Sequence, residues 1–365
     1  MTFGPRRVHT AEVDLQPTEG PRPTLEKILL GALQRTPCIV AFSGGRDSSA
    51  ILAETTRVAR AHGLEDPIPH TLRFAQAPRA QEGEWQELMI GHLDLQNWSK
   101  RDVTDELDAL GPLGLGVLRR HGVHWPPNAH TFQLLLEPAA GGSLVTGNGG
   151  DELFHPWPGN RIALLRRGRT VPRRHDLRPF ILSLLPSGFL VRRSIRRGRF
   201  RLPWLTAAAA SPVERNLATL AWNLERSWAE SLEKHLHGRF LELGLAITRA
   251  LADDAGVRLV EPFFDPRYVR SVYLEAPPEG YGTRTAAMDH LFGDLLPRQV
   301  AARSTKAVFT EVFCGPETRR FAEEWTGSGL DPSLVEPESL RKEWLSPVPD
   351  LRSLVPIQAA RLASR

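Results

Sequence analysis

The chain has 365 residues, of which 41% are hydrophobic and 24% are charged, and this composition excludes wholesale disorder and collagen-like repeats. Its formal net charge is +4, and only five of its 46 basic residues are lysines. The two cysteines, Cys38 and Cys314, exclude a disulfide framework and a four-cysteine zinc site. Because they fit a reducing compartment, and because no apolar run reaches the ~18–20 residues of a membrane span, we expect a cytoplasmic protein.

Strands and helices alternate through the first half of the sequence. Thr24 is expected to cap a first helix, and the continuous apolar run from Cys38 to Phe42 is typical of a strand buried on both faces. This alternation predicts an α/β fold built on a parallel sheet. The later members of the pattern are helices over 47–62, 82–95 and 128–137 and strands over 70–74, 97–103 and 143–146.

Strand-like runs disappear after about residue 155, and helical patterns dominate to the C-terminus. Between Arg161 and Arg201 lie 13 arginines and no lysine. This segment can bind an acidic leader peptide, a carrier or RNA, or can be a solvated helical insertion, as charge runs usually are. The apolar residues 180–185 within it are expected to be buried. We therefore predict four parts: an N-terminal tail over 1–20, an α/β core over 21–155, an Arg-rich insertion over 156–210 and a helical C-terminal part over 211–365 that completes the active site.

A glycine loop between the first strand and the second helix is the strongest functional signal. It reads Phe42-Ser43-Gly44-Gly45-Arg46-Asp47-Ser48-Ser49. Small residues let backbone amides approach an anion, and the start of a helix adds free N–H groups and a favourable dipole. Ser43 and Ser48 can donate to phosphate oxygens, whereas Asp47 suits a Mg²⁺ that bridges phosphates. The pattern predicts a phosphate site rather than an ordinary turn in which Asp47 caps the helix.

A second glycine loop, Thr146-Gly147-Asn148-Gly149-Gly150-Asp151, follows the predicted strand over 143–146. Because the carboxyl ends of neighbouring parallel strands meet at one edge of a sheet, we expect the two loops to lie side by side. Asp47 and Asp151 are then predicted to hold the same Mg²⁺. The alternative is that Asp151 and Glu152 only favour the start of a helix.

The first loop resembles the Ser-Gly-Gly-x-Asp-Ser signature of the N-type ATP pyrophosphatases, and the two loops together resemble the synthetase domain of the asparagine synthetase family. Two further stretches match that family. Glu261-Pro262-Phe263-Phe264-Asp265 resembles its Pro-Phe-Leu-Asp motif, and Arg303-Ser304-Thr305-Lys306-Ala307-Val308-Phe309 resembles its Arg-x-x-Lys-x-x-Phe motif. The resemblance covers about Leu25 to Phe309 and implies ATP and Mg²⁺ as cofactors and a sheet of the adenine nucleotide α-hydrolase-like type.

The resemblance also implies roles for particular residues. Thr146 and Gly147 are implied to lie by the ribose and α-phosphate of ATP, backbone near Leu72 to line the adenine, and Asp151 to share Mg²⁺ with the first loop. Lys306 is implied to stabilise charge on the transition states for adenylation and amide formation, against the alternative of a solvent-exposed lysine. The implied pyrophosphate site is built from Ser43, Gly44, Gly45, Asp47 and Ser48.

Three departures from the family pattern bear on the substrate. The chain carries Thr2 where the family's glutaminase domain begins with a nucleophilic cysteine, so we expect that it does not make ammonia from glutamine by itself. The glutamate of the second loop is Asn148, and an amide cannot act as a general base at neutral pH. The glutamate expected before the Pro-Phe-Leu-Asp motif aligns with Arg258. Asn148 and Arg258 therefore join Lys306 as candidate catalytic positions.

These departures favour the branch that joins a larger amine, which contains β-lactam synthetases and lasso-peptide cyclases. The stretches 201–205, 321–325 and 327–329 are similar to lasso cyclases. The resemblance implies an ATP-dependent, AMP-forming amide ligase in peptide natural-product maturation. Its partners are expected to be a carboxylate- and amine-bearing substrate, such as a precursor peptide, and a separate subunit or leader-binding protein; nucleic acid is not expected.

Other interpretations remain open from the sequence. The first is an asparagine synthetase-like amidotransferase that uses free or partner-supplied ammonia. The second is a tRNA-modifying adenylating enzyme, which the basic charge favours. The third is a non-catalytic relative that acts as a scaffold. His121, His124 and His130 have a spacing that suggests a metal, but no nearby carboxylate or thiol completes a zinc site.

Overall fold

The computed structural model describes residues 19–74, 82–155, 158–168, 171–172, 174–222, 227–277, 280–303 and 310–364. Five strands occur within these residues, and they form one sheet in which every pairing is parallel. They are β1 (Cys38–Ala41), β2 (Ile68–Arg73), β3 (Ser99–Asp102), β4 (Ser143–Val145) and β5 (Arg258–Val260). Their order across the sheet is β3-β2-β1-β4-β5. The predicted α/β fold with a parallel sheet is confirmed.

Helices cover both faces of this sheet, and loops and short 3-10 segments connect the elements. In chain order the helices are α1 (Pro21–Leu33), α2 (Arg46–Ala61), α3 (Gly83–Leu93), α4 (Pro112–His121), α5 (Thr131–Leu136), α6 (Gly150–Leu153), α7 (Pro158–Arg166), α8 (Leu177–Ser183), α9 (Ser187–Arg196), α10 (Ala207–Trp222), α11 (Trp228–Leu236), α12 (Arg239–Asp254), α13 (Pro266–Glu275), α14 (Arg284–Phe292), α15 (Arg298–Ala301), α16 (Pro316–Glu324), α17 (Pro337–Trp344) and α18 (Leu354–Ala363). None of the described helices is long and apolar enough to cross a membrane.

The central strands are buried and mostly apolar because both of their faces are covered. In β1, Cys38 and Val40 belong to the largest hydrophobic cluster, whereas Ile39 between them belongs to a cluster on the other side of the sheet. In β4, Leu144 and Val145 divide between the same two clusters. Alternate side chains of a strand point to opposite faces, so a continuous apolar run is what a strand buried on both sides requires.

The fifth strand corrects the expectation that strand-like runs end near residue 155. β5 belongs to the C-terminal part of the chain, yet it pairs with β4, with Val145 opposite Val260. A three-residue strand is too short to show a period of two, so the sequence pattern missed it. The C-terminal part therefore completes the sheet as well as adding helices.

Two local expectations are also corrected. The first helix begins at Pro21 rather than after Thr24, whose hydroxyl donates to the Gly20 carbonyl at 3.0 Å. Proline fits the first turn of a helix because it has no N–H to satisfy. In the Arg-rich insertion, Ile181 and Leu184 are 52% and 62% exposed rather than buried. The neighbouring α9 buries Leu190 instead.

Candidate active site

The first glycine loop ends β1 and begins α2, as the sequence predicts. Gly45 is the cap residue of α2, and within the described residues no side-chain cap bonds to the first turn of the helix. The N–H groups of that turn are therefore free for an anion at the carboxyl edge of the sheet. Gln86 Nε2 supports the loop by donating to the Ser43 carbonyl at 2.9 Å.

The two predicted serines hold each other in place. Their hydroxyl oxygens, Ser43 Oγ and Ser48 Oγ, lie 3.1 Å apart, and Ser48 Oγ donates to the Gly45 carbonyl at 3.1 Å. Ser43 Oγ also accepts from the Gly45 N–H at 3.2 Å. Both hydroxyls thus face the loop, where they can rotate to donate to a bound phosphate.

The second loop packs directly on the first. A Cβ atom on Gly147 would lie 2.7 Å from the backbone nitrogen of Ser48, and one on Gly150 would lie 2.3 Å from Cγ of Asp47. Any side chain at these two positions would drive the loops apart. The predicted adjacency of the loops is therefore present, and it depends on glycine.

A guanidinium lies between the two predicted metal ligands. Arg284, the first residue of α14, forms ion pairs with both Asp47 and Asp151. Burial raises the pKa of Asp47 above its usual range, and Arg284 opposes that rise. Sequence reasoning missed Arg284, because no motif points to an arginine that follows the second loop by more than 130 residues.

The two aspartates fit a magnesium ion that is shared with phosphates. Asp47 Oδ1 is buried and makes no hydrogen bond with the residues that the structure describes, whereas Oδ2 pairs with Arg284. The ion pairs with one guanidinium show that both carboxylates already face a single positive charge. Mg²⁺ commonly takes one or two carboxylates and completes its shell with phosphate oxygens and water.

Asn148 contacts the carboxylate of Glu261. Glu261 begins the motif that ends at Asp265, and no role was predicted for it from the sequence. Asn148 Nδ2 donates to Glu261 Oε1 at 3.1 Å, and Glu261 follows the last residue of β5. Burial raises the pKa of Glu261 above its ordinary 4.5. The remainder of that motif is structural: Phe263 is fully buried against Gly149 of the second loop, and Asp265 caps α13.

The structure places Arg258 away from the two loops, and its catalytic role stays a prediction. Arg258 pairs in register with Ser143, the first residue of β4, whereas the second loop follows the last residue of that strand. Arg258 therefore lies at the amino edge of the sheet. Its Nη1 donates to the Gly31 carbonyl in α1 at 2.9 Å.

Two predicted nucleotide contacts lie at the expected edge. Leu72 is near the carboxyl end of β2, two residues beyond His70, which pairs with the last residue of β1. Thr146 directly follows β4, is 2% exposed, and its Oγ1 accepts from the Asn148 N–H at 3.3 Å. Both positions are compatible with a nucleotide that spans the carboxyl ends of β2, β1 and β4.

Lys306 lies outside the described residues, but the first residue of its motif does not. Arg303 is 7% exposed and donates to the Gly44 carbonyl at 2.8 Å. It also forms an ion pair with the buried Glu82. The described end of this segment is thus attached to the first loop.

The three histidines with metal-like spacing have separate partners. His121 Nε2 pairs with Asp254 at 2.8 Å, and His130 Nε2 bonds to the Leu107 carbonyl at 2.8 Å. His124 bonds to the Gly122 carbonyl. The structure does not bring them together as one ligand set.

A comparison with family models decides the assignment. The model for asparagine synthase matches residues 31–348. The chain belongs to the asparagine synthase family. Members of this family are ATP-dependent ligases that form carbon–nitrogen bonds, so this chain is such a ligase. The match covers both glycine loops, the motif from Glu261 to Asp265 and Lys306.

Two other comparisons add little to the family assignment. No curated protein matches the chain. Among solved structures, the chain is similar to an NAD⁺ synthetase from Burkholderia pseudomallei, with 16% identity over 66% of this chain and 90% of that chain and a TM-score of 0.26.

Proposed function

We propose that this asparagine synthase-family ligase forms AMP and joins a peptide carboxylate to an amine, closing a macrolactam or related amide during peptide natural-product maturation. The contact between the two loops carries the ligase mechanism. Gly147 packs on Ser48 while Asp47 and Asp151 converge on Arg284. Free N–H groups, two hydroxyls and two carboxylates thereby share one edge of the sheet, an arrangement that suits Mg·ATP.

In the first step a substrate carboxylate oxygen attacks the α-phosphorus of ATP. The bond between the α-phosphorus and its bridging oxygen breaks, and pyrophosphate leaves. The N–H groups at the start of α2, with Ser43 and Ser48, bind the departing pyrophosphate. Asp47 and Asp151 are the residues that would hold Mg²⁺, which neutralises phosphate charge when bound. Arg284 keeps the two carboxylates directed at the same point.

In the second step an amine nitrogen attacks the acyl carbon, the bond to AMP breaks, and an amide forms. The amine must lose a proton, and Asn148 cannot accept it. Glu261 is the carboxylate beside Asn148, and a raised pKa makes it a better proton acceptor than an ordinary glutamate. We therefore propose that Glu261 accepts the proton that the amine loses.

We propose an amine that belongs to the same substrate molecule as the carboxylate because of one departure from the family pattern and one resemblance in the sequence. Asn148 replaces the second-loop glutamate, and the stretches that resemble lasso cyclases include Trp204 and Trp325. Both tryptophans are buried in one hydrophobic cluster, which also contains Phe74 and Val103 of the α/β core. When one pocket holds both ends of a substrate, proximity can supply ~7–11 kcal/mol.

Lys306 is proposed to stabilise negative charge in both steps. It follows Arg303 by three residues in the sequence. Because Arg303 is attached to the first loop, the lysine can reach the phosphates. A fixed cation near developing negative charge is a common source of rate enhancement.

The test is ATP–pyrophosphate exchange with Mg²⁺ and a panel of acids: aspartate, small amino acids and any precursor peptide encoded beside the gene. Exchange with one acid, lost about a hundredfold or more in Asp47→Asn and Asp151→Asn, is expected because both carboxylates serve the metal. Asp66→Asn is the matched control, since Asp66 pairs with Arg60 on the surface. Unaltered exchange in both loop variants would contradict the mechanism.

The amine is tested separately. With the acid identified, the wild-type protein is given ammonium or a peptide that carries its own N-terminal amine, and the amide product is identified by mass spectrometry. A cyclic product that is 18 Da lighter than the peptide is expected. A primary amide formed from ammonium, without cyclisation, would favour the amidotransferase alternative.

A further inference from the structure

A small pocket in the Arg-rich insertion lies apart from both glycine loops. It has a volume of about 110 Å³ and is formed by α8, α9, the turn after α9 and the end of α10. Four arginines line it: Arg178, Arg193, Arg197 and Arg199. No acidic side chain is among the described residues that line this pocket.

The four guanidinium groups lack counter-charges within the described chain. In the same insertion, Arg161 forms an ion pair with the buried Asp176 at 2.6 Å. None of the four pocket arginines forms an ion pair or donates a side-chain hydrogen bond to a residue that the structure describes. Arg199 instead lies over the ring of Trp222, 5.6 Å from its centroid. All four arginines are exposed, and because arginine does not lose its proton in proteins, a bound anion would neutralise this accumulation of charge.

A hydroxyl and apolar walls complete the pocket. Ser194 is 5% exposed, and its Oγ accepts from Trp222 Nε1 at 2.7 Å. The Ser194 hydroxyl can therefore still donate its own proton to a ligand. Leu182 and Leu190 form the apolar part of the wall.

We propose that this pocket binds a compact polyvalent oxyanion, a phosphate or diphosphate group, through Arg178, Arg193, Arg197 and Arg199. A phosphate group carries up to two charges and several acceptor oxygens in a small volume, whereas a carboxylate carries one charge. Guanidiniums bind phosphate oxygens in bidentate pairs. Because Arg199 already lies over Trp222, that ring face is not open to stacking by a nucleic-acid base.

The test compares two double variants of α9 with the wild-type full chain. Arg193→Gln/Arg197→Gln removes two pocket arginines. Arg192→Gln/Arg196→Gln is the matched control, because it removes the same charge at the same spacing from residues that are equally exposed but do not line the pocket. Inorganic pyrophosphate is titrated by calorimetry at fixed salt. The loops are unchanged in both variants, so pyrophosphate bound there contributes equally.

The expected result is one class of pyrophosphate site that is weakened about tenfold or more in the pocket variant and within about twofold in the control. Equal weakening in both variants would overturn the proposal, because it indicates a diffuse basic surface. Tighter binding of a fluorescent oligoglutamate peptide than of pyrophosphate would overturn the assignment to phosphate. Absence of a pocket-dependent site for any phosphate probe would also overturn it.

A vesicle-binding experiment then distinguishes a phosphate group on a lipid from a soluble phosphate ligand. Phosphatidylglycerol vesicles are compared with phosphatidylcholine vesicles by sedimentation, with and without competing pyrophosphate. Binding of the anionic vesicles that requires Arg193 and Arg197 identifies a lipid headgroup. Pyrophosphate binding without vesicle binding identifies a soluble phosphate ligand. Either outcome supports the phosphate site.

Discussion

Gly147 is the residue at which the two loops touch. Gly147→Ala would place a Cβ 2.7 Å from the Ser48 nitrogen, so the loops must separate. We expect a loss of about 1–3 kcal/mol in the free energy of unfolding and a larger loss of ATP binding, measured by urea unfolding and calorimetry. Gly116→Ala is the control: it lies in α4 with no atom near its Cβ, so a gain of about 0.5–1 kcal/mol is expected. Undiminished ATP binding by the Gly147 variant would contradict the loop contact.

Glu261 should affect the second step more than the first. In Glu261→Gln we expect ATP–pyrophosphate exchange within about twofold of wild type, because the loops are unaltered. The rate of amide formation should fall about a hundredfold or more, because general base catalysis is removed. Its pH profile should also lose the rise that accompanies deprotonation of the Glu261 carboxyl. The two rates are measured with the same acid between pH 5 and 9. If amide formation keeps its rate and pH profile, Glu261 is not the proton acceptor.

The same carboxyl also affects stability. Burial raises the pKa of Glu261 in the folded state, so the folded protein holds this proton to a higher pH than the unfolded chain does. In that interval the unfolded state binds fewer protons, and stability falls as the pH rises from about 4.5 upward. Glu261→Gln should reduce this fall in melting temperature. The comparison is a thermal scan of both proteins from pH 4 to 8; parallel curves would contradict the assigned pKa shift.

The sequence predicted the positions of those candidate site residues that lie in a local motif. Ser43, Ser48, Asp47 and Asp151 lie beside glycines after buried strands, so strand order alone brings them together. Arg284 could not be predicted, because its contact with both aspartates depends on how α14 packs. The resemblance to the family aligned Arg258 with a glutamate before the Pro-Phe-Leu-Asp motif. It could not show that this residue lies at the amino edge of the sheet, because that depends on the register of β5 with β4.

At the scale of elements, a buried carboxylate holds the start of α16. Asp108 is 1% exposed, and its Oδ2 accepts from the Glu317 N–H at 2.7 Å while Thr318 also bonds to it. Asp108→Asn removes the charge and one acceptor, and we expect a loss of about 1.5–3 kcal/mol in unfolding free energy. Denaturant unfolding measures it. Asp105→Asn, at an exposed position, should change the free energy of unfolding by less than about 0.5 kcal/mol. Equal losses in the two variants would show that the Asp108 carboxylate does not stabilise the start of α16.

Elements were predicted where they are long or strongly patterned. β1 and α2 are found within one residue of their predicted starts, because an apolar run and a glycine loop mark their junction. The predicted helical stretch after residue 211 is divided into α10, α11 and α12. β5 was missed because its residues have no alternation and because pairing with β4 is a tertiary contact.

At the scale of the whole molecule, the main core joins both halves of the chain. The largest hydrophobic cluster extends from Leu25 to Ala301 and includes Val260, Phe263 and Phe292. A fragment that ends at residue 155 lacks these side chains and the edge strand. We expect it to melt without cooperativity and to bind a hydrophobic dye, in contrast to the full chain. A sharp calorimetric transition in the fragment would show that residues 21–155 fold alone.

The position of β5 has a consequence for synthesis. When residue 155 has left the ribosome, β4 is still an open edge, and strand edges invite pairing with other chains. At about 5–20 residues per second, the ribosome needs roughly 5–21 s more to reach Val260, the end of β5. A nascent chain therefore passes through a long interval with its sheet unclosed, when chaperone contact or a slow codon is most able to decide between folding and aggregation.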